Sequence, residues 1–96
     1  MQSFRKKIKS IIKHGLDPIA EGIINFNEPK KEIEYLASLR LETCLKCPLF
    51  KREPISMLAV EDERLKEASK MFCDECGCTL PYKLRQSKIK CDKWEN

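Results

Sequence analysis

Six cysteines, spread between positions 44 and 91, constrain this chain more than any other feature of its sequence. They stand as Cys44-x2-Cys47, then Cys73-x2-Cys76-x-Cys78, then Cys91. A Cys-x2-Cys turn brings two thiolates to one point while its backbone amides face the sulfurs. Two such turns complete a tetrahedral four-thiolate shell. Gly77 directly after Cys76 suits the turn, because glycine accepts positive φ without strain. Pro48 fixes the chain as it leaves the first turn. The chain has 96 residues, of which 35% are charged and 7% aromatic. A core of that size is marginal without a staple. Zinc at Cys44, Cys47, Cys73 and Cys76 is therefore the expected staple. An iron–sulfur cluster or disulfides are the other uses of such thiols. A redox Cys-x2-Cys pair needs a thioredoxin-like βαβ context, which the sequence lacks. Cys78 and Cys91 exceed one four-coordinate ion. They are buried thiols beside the site, substitutes for one of the four, or members of a two-ion site with shared thiolates.

Hydrophobic spacing predicts the elements around the cysteines. Phe4, Ile8, Ile11 and Ile12 form one face of a basic helix over 3–14, and Gly15 stops it. Asp17-Pro18 opens a second helix carrying Ile19, Ala20, Ile23 and Ile24, with Gly22 as its weak point. A third helix over 29–42 places Ile33, Leu36, Ala37 and Arg40 on one stripe and leads into Cys44. A fourth is expected over 57–72. Residues 78–82 and 88–91 read as two short strands of a hairpin, with Pro81 on an edge. The expected fold is a small α+β zinc-ribbon-like module over 29–96, with two Cys-x2-Cys knuckles and a short β-hairpin. An α-helical, basic, amphipathic N-terminal arm over 1–28 precedes it.

The net charge is +4, and its distribution is uneven. Residues 1–14 carry Arg5, Lys6, Lys7, Lys9 and Lys13 without an acid, and the tail from Tyr82 is basic again. Such ends suit nucleic acid, an acidic protein surface or plain solvation. Lys83, Arg85, Lys88, Lys90 and Trp94 are the candidate nucleic-acid residues. Trp94 and Tyr82 either stack on bases or cover a small zinc core. Arg40 either meets phosphate or braces the knuckle carbonyls. Phe4, Ile8, Ile11 and Ile12 are the candidate partner-binding face. His14, the only histidine, lies far from the cysteines and reads as a helix C-terminal residue. No catalytic constellation is visible, and four thiolates close a zinc shell against substrate. An enzyme is therefore not expected. No stretch of about 18 apolar residues is present, so no transmembrane segment is expected. The N-terminus lacks an apolar h-region and a cleavage site, so secretion through a signal peptide is not expected.

A longer pattern runs through these motifs. Arg40-x3-Cys44-x2-Cys47-Pro48, Cys73-x2-Cys76-Gly77-Cys78-x-Leu80-x2-Lys83, then Cys91 and Lys93-Trp94, resembles small zinc-ribbon proteins encoded by tailed bacteriophages. The resemblance covers roughly residues 32–94, with the segment between the pairs outside it. Together with the closed thiolate shell and the apolar basic helices upstream, it leads to the expectation of a non-catalytic structural or adaptor protein, a phage-type virion or assembly component that docks on a larger protein. It also implies a place in the host cytoplasm or the virion. A nucleic-acid-binding or transcription-modulating ribbon, working through the basic segment 83–93, is the second expectation.

Overall fold

Four helices and one two-stranded antiparallel ribbon build residues 2–94, the described part of the computed structural model, with side chains placed from Arg5 onward. Helix α1 spans Gln2–His14, α2 Asp17–Asn27, α3 Lys31–Leu45 and the short α4 Leu80–Lys83. Strand β1 is Phe50–Arg52 and β2 is Met71–Cys73. The chain is a small α+β protein. Gly15 ends α1 in the left-handed region, φ 77°, with its amide bonded to the Ile11 carbonyl at 2.7 Å. Pro18 sits in the first turn of α2, where its missing N–H costs nothing.

Two expectations fail for identifiable reasons. Residues 57–72 are not a helix. Two 3-10 turns, Ser56–Leu58 and Lys66–Ala68, are joined by irregular chain that ends in β2. Asp62 interrupts the segment: its carboxylate accepts from the amides of Arg64 and Leu65 at 3.1 and 3.0 Å, while its own amide donates to the Ser69 hydroxyl at 3.0 Å. Such local bonds offer the backbone an alternative to the helix. The hairpin expected over 78–91 is also absent. Leu80–Lys83 form α4 with Pro81 in its first turn, and no strand follows among the described residues. Proline cannot donate to a ladder but is preset for a helix start.

The ribbon that does form pairs β1 with β2, with Phe50 opposite Cys73 and Arg52 opposite Met71. It closes the base of the 53–70 segment. It therefore lays the exit of the first cysteine turn beside the entry to the second. The core gathers Ala37 and Leu41 of α3, Ala68, Leu80, Leu84 and Trp94, with Cys44, Cys73 and Cys91 packed against it.

Helix α2 crosses α4 at Gly22, where an added Cβ would collide with the Tyr82 carbonyl. The residue expected to weaken α2 is the one that lets the two backbones meet. Asn25 donates to the Arg85 carbonyl at 2.7 Å, and Glu21 accepts from the Ser87 amide at 2.8 Å. Helix α1 lies over Gly77 (φ 78°), where a Cβ would come within 2.6 Å of Lys6 Cβ. Lys6 bonds the Asp74 carboxylate at 2.7 Å, and Lys7 bonds the Gly77 carbonyl and pairs with buried Glu53 at 2.7 Å. So α1 turns a polar face inward.

Candidate metal centre and its surroundings

Both cysteine turns are tight. The Cys47 amide donates to the Cys44 carbonyl at 2.9 Å, and the Phe50 amide to the Cys47 carbonyl at 3.1 Å. In the second turn, the Gly77 amide reaches the Cys73 carbonyl at 2.7 Å, and the Cys73 amide the Cys78 carbonyl at 3.0 Å. A bond from the Asp74 amide to the Leu49 carbonyl, 2.8 Å, stitches the two turns together. Cys91 arrives from the C-terminal segment, held by the Trp94 amide on its carbonyl at 3.0 Å.

Cys44, Cys47, Cys73 and Cys91 line one cavity of about 20 Å³, walled by Phe50, Leu80, Lys83 and Trp94. Cys76 lies beside it, in contact with Cys73 and Cys78. The Cys78 sulfur meets the Ser10 hydroxyl of α1 at 3.7 Å. All six are free, partly buried thiols. Among the described residues, no group of three or more Cys, His, Asp or Glu side chains is drawn in tightly enough to form a ready metal cage.

Two lysines serve the sulfurs. Lys83 Nζ donates to Cys76 Sγ at 3.3 Å, and Lys93 Nζ to Cys47 Sγ at 3.3 Å. Burial alone would lower the Lys83 pKa, but Cys76, Cys73 and Cys78 raise it above the usual lysine value. Burial pushes the Cys44 thiol up, against the opposing pull of Trp94. The Trp94 indole nitrogen is buried without an acceptor in hydrogen-bond geometry. It faces Cys44, and a thiolate there is the acceptor it lacks. A hydrogen bond from Cys76, stronger here than the opposing burial, brings Cys78 down to about 7. The donor set, an indole aimed at sulfur and two ammonium groups on thiols all suit a soft cation held by thiolates.

The other sequence candidates divide by burial. Lys83 (6% exposed), Arg85 (1%) and Trp94 (8%) are buried, so they offer no surface to nucleic acid. Arg85 Nε and Nη2 donate to the two Glu34 oxygens at 2.7 and 2.8 Å, and Nη1 to Asp62 at 2.7 Å. Trp94 covers the core and takes the Arg40 guanidinium 4.6 Å from its ring. Arg40 is buried and donates to the Leu84 and Gln86 carbonyls at 3.2 and 2.8 Å, bracing the end of α4. Tyr82 packs edge-on against Phe26, ring centroids 5.5 Å apart. Lys88 and Lys90 remain exposed.

Of the partner-binding candidates, Ile8 is 40% and Ile12 79% exposed. Ile11 turns into an apolar cavity of about 300 Å³ that it shares with Ile19, Leu58, Val60 and Ile89. The Phe4 side chain lies outside the described residues. The roles of Lys83 and Lys93 as sulfur partners were missed. Their fixed spacing from the cysteines was the available signal, masked by reading every lysine of the tail as surface charge. No helix among the described residues is long and apolar enough to cross a membrane. No protein-family model, curated protein or solved structure matches this chain.

Proposed function

We propose that this chain is a non-catalytic, zinc-binding structural or adaptor protein that docks on a larger protein assembly. The phage-type motif order argues for a virion or assembly component, in the host cytoplasm or the virion. The ion takes Cys44, Cys47, Cys73 and Cys91. Spacing alone favours Cys76 as the fourth ligand. Cys91 is preferred because it shares the small cavity with the other three, whereas Cys76 is turned to Lys83. The observation that carries the docking reading is α1: it packs inward through Lys6, Lys7 and Ile11, and Ile8 and Ile12 stand outward, 40% and 79% exposed. A lone amphipathic helix gains most of its stability from burying such a face.

Elemental analysis of natively purified protein tests the metal. One zinc per chain is expected, lost in Cys91→Ser and kept in Cys78→Ser. No zinc in the natural protein would refute it, and two per chain would return the shared-thiolate site. Ile8→Asp with Ile12→Asp tests the docking. It should abolish association with the assembly and leave zinc content unchanged; retained association would overturn the role of this face.

A further inference from the structure

We infer that the cleft between α1 and residues 88–92 binds the phosphodiester backbone of nucleic acid. The two basic ends of the sequence converge there. A cleft of about 510 Å³ is lined by Lys9 and Lys13 on one side and Lys88 and Lys90 on the other, against the acids Glu75 and Asp92. All four lysines are exposed, and none is held in an ion pair among the described residues. The cleft's two other lysines are engaged, Lys6 by Asp74 and Lys83 by Cys76. Four unpaired cations therefore face one concave space. A charged cleft with low-dielectric walls concentrates its field on an anion inside it.

The shape of the site selects a strand over a bilayer. Lys6, Lys9 and Lys13 recur at helical spacing on one face of α1 and line the cleft, whereas the neighbouring Ile8 and Ile12 lie outside its lining. A membrane-surface helix needs its lysines flanking the apolar face, in the plane of the interface. Here the charges look into a concavity that a flat headgroup layer does not enter. The cleft lining holds no Phe, Tyr or Trp among the described residues, and its one aromatic ring is the His14 imidazole. Four unpaired lysines against one imidazole make charge the main term of the contact, so binding reads the backbone rather than the sequence. The cleft shares Cys91 with the proposed zinc ligands, so the inference rests on that centre being formed, but it does not rest on the protein-docking face.

Anisotropy titrations of the full chain with a labelled oligothymidylate, a labelled mixed-sequence duplex and phosphatidylserine vesicles test it. The single strand should bind with a log–log salt slope of roughly −3, as four lysines each release about 0.7 counterion. Lys9→Ala with Lys13→Ala, and separately Lys88→Ala with Lys90→Ala, should each halve that slope. Each pair should weaken binding roughly tenfold or more at moderate salt. Lys30→Ala with Lys31→Ala, exposed lysines that line no part of the cleft, should leave both unchanged. Ile8→Asp with Ile12→Asp should still bind the oligonucleotide, which separates this site from the docking face. Circular dichroism confirms that each surface variant is folded. Absence of binding, vesicle binding without oligonucleotide binding, or equal losses from the Lys30/Lys31 pair would each overturn the assignment.

Discussion

Lys83 and Arg85 stand two residues apart at the end of α4, both buried, and their partners differ in kind. Arg85 is met by carboxylates on both sides: Glu34 of α3 grips it bidentately, Asp62 of the 53–70 segment takes its other edge, and the Pro81 carbonyl accepts a fifth contact at 2.8 Å. Phe26 of α2 covers the guanidinium at 5.1 Å. Arg64 pairs with Glu34 at 3.4 Å, so two guanidinium groups balance two carboxylates within the fold itself. Lys83, by contrast, has sulfur where Arg85 has carboxylates, with Cys76 at 3.3 Å and the Trp94 ring at 5.4 Å. A buried ammonium among neutral thiols is costly, whereas one among thiolates is compensated. The Arg85 side of the molecule is complete as a protein, and the Lys83 side has the chemistry of a site that a soft cation completes. The lesson is that one short helix and the turn after it carry two buried cations with different partners, one locked by carboxylates and one set against sulfur.

The comparison breaks first at the metal. If the thiol side is completed by zinc, chelation should unfold residues 44–94, because structural zinc supplies on the order of 10–16 kcal/mol in small modules. Circular dichroism before and after chelator reads this directly, and an unchanged spectrum would place both sides in the same class. Next comes Arg85→Ala, which leaves buried Asp62 without its cation and Glu34 with Arg64 alone. It should cost about 3–5 kcal/mol in denaturant unfolding while zinc stoichiometry stays constant. Lys83→Met should do the reverse. Stability of the metal-loaded protein should change little, and zinc affinity should fall roughly 10–100-fold in chelator competition, because Lys83 walls the ligand cavity and its charge favours the Cys73 thiolate. Equal effects of Arg85→Ala and Lys83→Met on both readouts would erase the distinction.

The smallest expected effect belongs to the clamp between α1 and the second cysteine turn. Hydrogen bonds from Lys6, then Lys51, hold the Asp74 carboxyl below the usual carboxylate range. A depressed folded-state value means that the contribution is present above the ordinary carboxylate pKa of about 4 and is lost as pH falls through the lower value. Hydrogen exchange should therefore show α1 loosening only in acid, and Asp74→Asn should reproduce that loosening at neutral pH. The ion pairs are exposed, so added salt should blunt the difference.

Local signals determined a good part of this molecule. The apolar periodicity of α1 and α3, Gly15 as a stop and Asp17-Pro18 as a start were legible because each acts through its own neighbours along the chain. The two Cys-x2-Cys spacings stand out for the same reason, but the turns they make are not clear zinc-ribbon knuckles among the described residues. The tertiary structure alone decided what the polar residues face. Asp62, spent on its own backbone and on Arg85, cancelled a helix that periodicity had suggested. Pro81 opened a helical turn where a strand was expected, since proline fits both an edge and a helix start and only packing against α2 distinguishes them. Lys83, Arg85 and Trp94 went inward because carboxylates, sulfurs and Arg40 from distant positions stood ready to receive them. Lys9, Lys13, Lys88 and Lys90 came to share one cleft only because α1 folds back over Gly77. Sequence fixes which residues repeat at a helical or turn spacing. Which charges are paired, buried or brought face to face depends on contacts across the whole chain, and no local pattern encodes those.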